Sequence, residues 1–546
     1  MSKKLRTGGE ILIDGLINHD AHRLFCVPGE SYLAALDALR DRNDKLQVIT
    51  CRQEGGAAYM AEAHGKLTGK PGICFVSRGP GASNAMVGIH TAFQDSTPLL
   101  LFIGQVARAN RGREAFQELD YKKVYSDVAK KVLRIDYAEK IPQQLSKAWH
   151  SAMSDRPGPV VIELPEDMLR DKVEVSDMDP IVVSSSELSN NSAQVFQHVF
   201  NHSVSPVIIA GGAGWNERAT SYLTEFSENF SVPVTTAFRR SDSFDNTHPH
   251  YIGELGLAPN PDLIKTIQDS DLLIAVGPRI GDITTNGYTT LVPPDRKNCN
   301  PTQKLIHIHA GADELNTVFS TDVAIHCRPE LFLKKICQIP LEKKQLTEKI
   351  QSAHQSYLNF VESPRYSDAK MRMDKVSEFL RHRLAGDSII TVGAGNFTTW
   401  GQRHYQFTRY GTLLGSTNGS MGYGVPSSIA AKLEHPQSIV VSFSGDGCFL
   451  MNGQELATAV QYNANVIFLV INNNCYGTIQ SHQERHYPGR RSATDLNNPD
   501  FARLGEAYGA FSATVTKFEE FEHVFEQAIK SNKPALIEIQ IDYYER

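Results

Sequence analysis

Short, uninterrupted apolar runs recur along the chain, each closed by glycine, proline or a small polar residue. Residues 24–27, 46–51, 72–76 and 98–103 are such runs in the first third. Residues 207–210, 272–276 and 305–308 follow in the middle, and 388–392, 439–443 and 466–471 in the last third. Continuous β-branched and apolar composition without alternation suits parallel strands buried on both faces. Between the runs, apolar positions take helical spacing. Residues 32–39 and 55–64 read this way, as do 453–461, where Leu456, Ala459 and Val460 share one face. Alternation of the two patterns predicts an α/β protein with parallel sheets.

A polar stretch over 175–191, rich in Ser and Asp, reads as a linker, and 341–366 as a charged helical connector. Three consecutive α/β units are therefore expected, over residues 1–172, 192–340 and 365–546. A chain of 546 residues is too long for one core. The net charge of −6, with no basic run, excludes a nucleic-acid partner by expectation. No apolar run approaches a membrane span. Lys3, Lys4 and Arg6 precede an apolar run that Asp14 interrupts, which predicts an amphipathic helix rather than a signal peptide. Eight cysteines without CxxC pairs read as reduced core residues of a cytoplasmic protein.

The chemistry concentrates in residues 438–479. One strand ends in Gly445-Asp446-Gly447 and the next in Asn472-Asn473-Asn474. Parallel strands joined by a right-handed crossover end on the same edge of a sheet. Asp446 and Asn473 are thus expected side by side, although 473 − 446 = 27 positions separate them. A carboxylate and an amide oxygen are hard ligands that suit Mg²⁺ together with substrate phosphates. The flanking glycines let backbone N–H groups approach a phosphate. No GxxxxGK[ST] is present, so this metal-diphosphate site is not a Walker loop.

Gly445-Asp446-Gly447 followed by Asn472-Asn473 resembles the thiamine diphosphate signature. The resemblance implies Mg²⁺ held by Asp446, the Asn473 side chain and the Cys475 carbonyl. It also puts Gly395, Asn396, Gly445, Gly447, Tyr476 and Gly477 at the cofactor. Gly419-Ser420-Met421-Gly422 resembles the family turn in which Met421 separates the two cofactor rings and the Gly419 carbonyl accepts from the aminopyrimidine. Alone, Met421 would read as core filler. The segment from Arg52 to Gly72 resembles the one carrying the activating glutamate, which implies that Glu54 hydrogen-bonds the aminopyrimidine, with Pro28 also at the cofactor. Alone, Glu54 would read as a first-turn carboxylate.

Pro28-Gly29, Gly79-Pro80-Gly81, Gln94-Asp95-Ser96, Ala115-Phe116-Gln117-Glu118 and Arg156-Pro157-Gly158 look like the acetolactate synthase branch. In architecture that branch is similar to benzoylformate decarboxylase and pyruvate oxidase. The match implies a pyrimidine-binding first unit, a Rossmann-like central unit and a diphosphate-binding last unit. It puts Glu30, Ser31, Arg78, Phe116 and Gln117 on the substrate side, and makes Gln117 and His482 catalytic candidates beside Glu54. His90 reads as a packed histidine. Several positions depart from the synthases. Glu166 stands where they carry lysine, Glu30-Ser31 where they carry a small pair, Arg78 where they carry serine and His482 where they carry tryptophan. Their flavin-linked steps read Glu254-Leu255-Gly256 and Ile280-Gly281-Asp282-Ile283. Thiamine diphosphate and Mg²⁺ are therefore expected, and FAD is not.

The implied activity is decarboxylation of a small 2-oxo acid, with carboligation to an aldehyde or a second 2-oxo acid; the departures predict weak conversion of pyruvate to acetolactate and a preference for another 2-oxo acid or acceptor aldehyde. A homodimer or dimer of dimers with sites at the subunit interface is implied. The alternatives are a non-carboligating decarboxylase, a carbon–carbon lyase or hydrolase, and a non-catalytic cofactor-binding regulator. Retention of Glu54 and Asp446 counts against the last.

Overall fold

The computed structural model describes residues 5–183, 187–294, 296, 301–363 and 369–541. The α/β expectation holds in three successive six-stranded sheets, each wholly parallel. The first contains Arg23–Cys26, Gln47–Thr50, Gly72–Val76, Leu99–Gln105, Lys131–Arg134 and Pro159–Pro165. Counted in chain order within the sheet, its strands lie 2-1-3-4-6-5. The last sheet, from Ile389–Val392 to Ala535–Gln540, repeats that order. The central sheet, from Pro206–Ala210 to Val323–His326, has the doubly wound order 3-2-1-4-5-6.

The apolar runs become strands because helices cover both faces of each sheet. Gly72–Val76, Leu99–Gln105 and Val466–Asn472 are buried at every position. The helix Gly8–Asn18 opens with a capping box between Thr7 and Glu10. A short antiparallel pair, Leu5–Thr7 with Lys172–Glu174, ties the start of the first unit to its end.

Three expected boundaries shift. The helix Asn190–His202 begins inside the expected linker, because the Ser189 side chain caps it. The expected connector is helical only over Thr347–Glu362. Before it, Lys344 is buried and donates to the carbonyls of Phe200 and Ser203, both at 2.7 Å, which holds the segment extended along the preceding helix end. Tyr366 lies outside the described residues. The helix expected over 453–461 starts as a 3₁₀ turn, Gly453–Glu455, before Leu456–Gln461.

The first and last units share one core. Helix Glu54–Thr68 packs on Gly79–Asp95 and on Gly424–Glu434. Its small face permits close approach: a Cβ on Gly88 would fall 2.4 Å from the Ala58 Cβ. No disulfide joins the described cysteines, and all but Cys337 are buried. No described helix is long and apolar enough to cross a membrane.

Candidate active site

Strands Val440–Gly445 and Val466–Asn472 are neighbours, with Gly445 opposite Ile471. Asp446 and Asn473 therefore leave the sheet at one edge and line one cavity of about 360 Å³. Gly445 and Gly447 flank Asp446 in its wall, and Cys475, Tyr476 and Gly477 follow Asn473. The loop after Ile389–Val392 adds Gly395 and Asn396, and the 415–424 loop adds Gly419 and Met421. The turns pack tightly. A Cβ on Gly447 would lie 2.5 Å from the Tyr476 ring, and one on Gly477 would lie 2.7 Å from Asn473 Nδ2.

Asp446 is buried, and burial pushes its carboxyl up, opposed by the Gly447 N–H and the Asn498 amide. Asn498 Nδ2 donates to Asp446 Oδ2 at 2.7 Å. The Cys475 N–H donates to Asn473 Oδ1 at 3.2 Å, and the Cys475 carbonyl accepts the Gly477 N–H at 2.9 Å. Helix Gly477–His486 starts at the cavity, so its positive N-terminal end faces that space. Phe397, Met421, Ile471 and Ile479 make the apolar part of the wall. Such a space suits a ligand with an anionic, metal-bound end and a flat apolar remainder.

The other expected site residues gather on the first unit. Glu54 opens the helix Glu54–Thr68, and its Oε2 accepts from Asn84 Nδ2 at 2.9 Å. A Cβ on Gly81 would stand 3.2 Å from Glu54 Oε1 and 3.4 Å from the Ser77 Cβ. The Ser77 hydroxyl is 3.3 Å from that of Ser31. Arg78 lies between Glu166, at 2.6 Å, and Glu30, at 3.4 Å. Gln117, at φ +64°, accepts the Gly79 N–H through its carbonyl at 2.9 Å. Pro28 and Phe116 are exposed. None of Pro28, Glu30, Ser31, Glu54, Arg78, Phe116 or Gln117 lines the Asp446 cavity. His482 lines an adjoining one, and His90 packs near the Asn418 amide.

The 415–424 loop is held by neighbours that carry no local motif. Tyr59 donates to Ser420 at 2.7 Å, and Tyr423 to Glu62 at 2.6 Å. Asp95 accepts the Thr417 N–H at 2.8 Å and pairs with Lys66 at 2.5 Å. Burial works against the Asp95 charge, but Lys66 and Arg240 outweigh it and hold the carboxyl below its usual range. Arg239, fully buried, donates to the carbonyls of Ser416 at 2.6 Å and Gly393 at 2.8 Å. Asn84, Arg239 and Asn498 escape the sequence reading because only tertiary folding brings them to the site.

Comparison with known proteins agrees with this geometry. The N-terminal TPP binding domain of thiamine pyrophosphate enzymes matches residues 6–124, their central domain 194–336, and their C-terminal TPP binding domain 393–539. The acetolactate synthase large subunit of Buchnera aphidicola subsp. Schizaphis graminum is 30% identical, over 99% of this chain and 95% of that protein. Acetolactate synthase isozyme 3 large subunit of Escherichia coli K12 is 29% identical over 99% and 95%. The mitochondrial acetolactate synthase catalytic subunit of Saccharomyces cerevisiae is 29% identical over 98% and 81%. With all three of their domains present in order, the chain belongs to the thiamine pyrophosphate enzymes, as a thiamine diphosphate-dependent enzyme of the acetolactate synthase-like branch.

Proposed function

We propose that this enzyme removes CO₂ from a small 2-oxo acid and joins the remaining acyl unit to an acceptor carbonyl, at sites shared between two copies of the chain. The observation that carries the reading is the separation of Glu54 from the Asp446 cavity. Large apolar side chains are uncovered on both units: Val87 (39% exposed) and Phe116 (73%) on the first, Leu450 (43%), Met451 (47%) and Ile479 (52%) on the last. A second copy covering them would bring the halves together.

The Asp446 cavity fits the cofactor. Asp446, Asn473 and the Cys475 carbonyl would hold Mg²⁺, and N–H groups at Gly447 and the start of Gly477–His486 would face the diphosphate. Thiamine diphosphate, when bound, supplies a carbon nucleophile for the 2-oxo carbonyl and a sink for the electron pair left as CO₂ departs. Met421 would hold the rings apart. Glu54, with Oε2 fixed by Asn84 and Oε1 beside Gly81, would hold or release a proton at a ring nitrogen.

A flavin is not expected in the central unit. The 211–214 turn packs on the next turn, and a Cβ on Gly212 would fall 2.3 Å from the Gly277 carbonyl oxygen. The cations beside it are engaged, Arg279 with Glu314 at 3.1 Å and Arg240 with Asp95 at 3.7 Å, and Asp282 adds an unwelcome carboxylate. The purified enzyme is expected to be colourless. On the substrate side Glu30 and Glu166 already balance Arg78, so a second carboxylate meets a guanidinium that is engaged. Pyruvate self-condensation is expected to be weak.

The test mixes two inactive variants, Glu54→Gln and Asp446→Ala, under conditions that allow subunit exchange. Activity on a 2-oxo acid panel, scored for CO₂, aldehyde and acyloin, should return in part, because mixed dimers hold one intact site. No recovery despite proven exchange would rule the shared site out. CO₂ and aldehyde without acyloin would leave only decarboxylation.

A further inference from the structure

The cofactor cavity does not end at Met421. A second cavity of about 280 Å³ continues from it into the seam between the central and last sheets. Phe238, Leu257, Gly395, Asn396 and Thr478 line both spaces. One wall of the second cavity belongs to the central unit. It carries Glu254, the last residue of strand Tyr251–Glu254, and the buried Ser241. The facing wall belongs to the last unit. Gln402 closes the helix Thr398–Gln402, and His482 lies on the helix Gly477–His486.

The chemistry assigned so far leaves Ser241, Glu254 and Gln402 without a task. Glu254 Oε1 accepts the Arg239 N–H at 2.5 Å, which fixes the carboxyl at the cavity wall. Gln402 Nε2 is buried and has no hydrogen-bond partner among the described residues. A buried donor without a partner is unfavourable, and a ligand oxygen would relieve it. Two guanidiniums stand in the wall: Arg403 stacks on the Phe360 ring at 3.5 Å and donates to the Phe360 carbonyl at 2.9 Å, and Arg485 comes from the last turn of helix Gly477–His486. A carboxyl, an amide donor and a hydroxyl on an apolar frame match a molecule bearing hydroxyl groups. A hydroxyl can donate to Glu254 while its oxygen, or a neighbour, accepts from Gln402.

We propose that this second cavity is the acceptor site, and that Glu254 and Gln402 select a short aldehyde carrying hydroxyl groups. The inference rests on the decarboxylase–carboligase reading above. In the overall step the bond between the donor's carbonyl carbon and its carboxylate breaks, and CO₂ leaves. The electron pair forms the new bond to the acceptor's carbonyl carbon. The acceptor oxygen takes one proton from solvent, giving a hydroxyketone with no net oxidation or reduction.

The test holds the fastest-decarboxylated 2-oxo acid at saturation and varies the acceptor among glycolaldehyde, glyceraldehyde, acetaldehyde, propionaldehyde and pyruvate. Hydroxylated aldehydes should exceed the others by about tenfold or more in kcat/KM, since a site built to bond a hydroxyl rejects analogues lacking it. Glu254→Leu and Gln402→Leu, on different units, should each collapse that ratio, while Glu254→Gln retains it. Saturation-transfer NMR with glycerol, which cannot react, should show binding to the native enzyme and loss of it in Gln402→Leu. Equal use of all acceptors, preference for pyruvate, or a hydroxyl preference that survives both leucine variants would overturn the proposal. No CO₂ from any 2-oxo acid would instead overturn the reading beneath it.

Discussion

Asn498 Nδ2 donates both to Asp446 Oδ2 at 2.7 Å and to Asn472 Oδ1 at 2.9 Å. It thereby fixes a carboxylate that would bind the metal and the strand end beside it. Partners behind metal ligands are worth about 10- to 100-fold in metal affinity. Asn498→Ala is expected to raise the Mg²⁺ concentration needed for thiamine diphosphate binding by that factor, with an unchanged circular dichroism spectrum. Calorimetric titration of both ligands checks this. Glu254 gives a pH signature. Burial pushes its carboxyl up to about 7 from an ordinary 4.5, against the Arg239 N–H and Ser241. A carboxyl whose folded-state pKa is raised holds its proton more tightly in the folded enzyme. Stability therefore falls as pH rises from about 4.5 to about 7, and the loss is constant above. Glu254→Gln cannot ionise, so its Tm should equal the native value near pH 4.5 and exceed it by a few degrees at pH 8. Scanning fluorimetry across that range decides, and a pH-independent difference would contradict the account.

At the scale of elements, helix Glu54–Thr68 carries Glu54 at its start and Tyr59, Glu62 and Lys66 further along, where they grip the 415–424 loop. Lys66→Met would leave Asp95 buried without its closest counter-charge, which typically costs about 3–5 kcal/mol. A matching drop in unfolding midpoint is expected. The double variant Lys66→Met/Asp95→Asn should recover part of it, because asparagine still accepts the Thr417 N–H. The strands were the legible part of the fold. Gly72–Val76 and Leu272–Val276 coincide with their apolar runs, since a strand buried on both faces leaves no alternation to blur its ends. The pair Leu5–Thr7 and Lys172–Glu174 was not, because three-residue strands without an apolar run carry no pattern. Within the site, the motif glycines, Asp446 and Asn473 stand out because strand ends and turns are local. Gln402 and Asn498 do not, because their roles depend on which sheet edges meet.

For the whole molecule, the shared-site reading makes the exposed apolar residues near Asp446 part of a subunit contact. Leu450→Asp with Met451→Asp should yield a folded chain of lower mass by light scattering and without activity. A specific interface buries roughly 800 Å² or more on each side, and two charges at its centre are hard to accommodate. An unchanged mass with full activity would locate the contact elsewhere.

The buried cysteines give the three sheets separate chemical clocks. Burial pushes the Cys26 thiol up to about 12 and those of Cys327 and Cys475 up to about 11. Thiolate is the form that alkylates, so maleimide should leave these positions almost unlabelled in the native enzyme at neutral pH. Cys26 and Cys74 then report opening of the first unit, Cys327 of the central one and Cys448 of the last. Under slow heating, mass spectrometry of the labelled peptides should yield the order in which the units open. Cys448 and Cys475, both in the wall of the Asp446 cavity, should be the two whose labelling thiamine diphosphate with Mg²⁺ delays most.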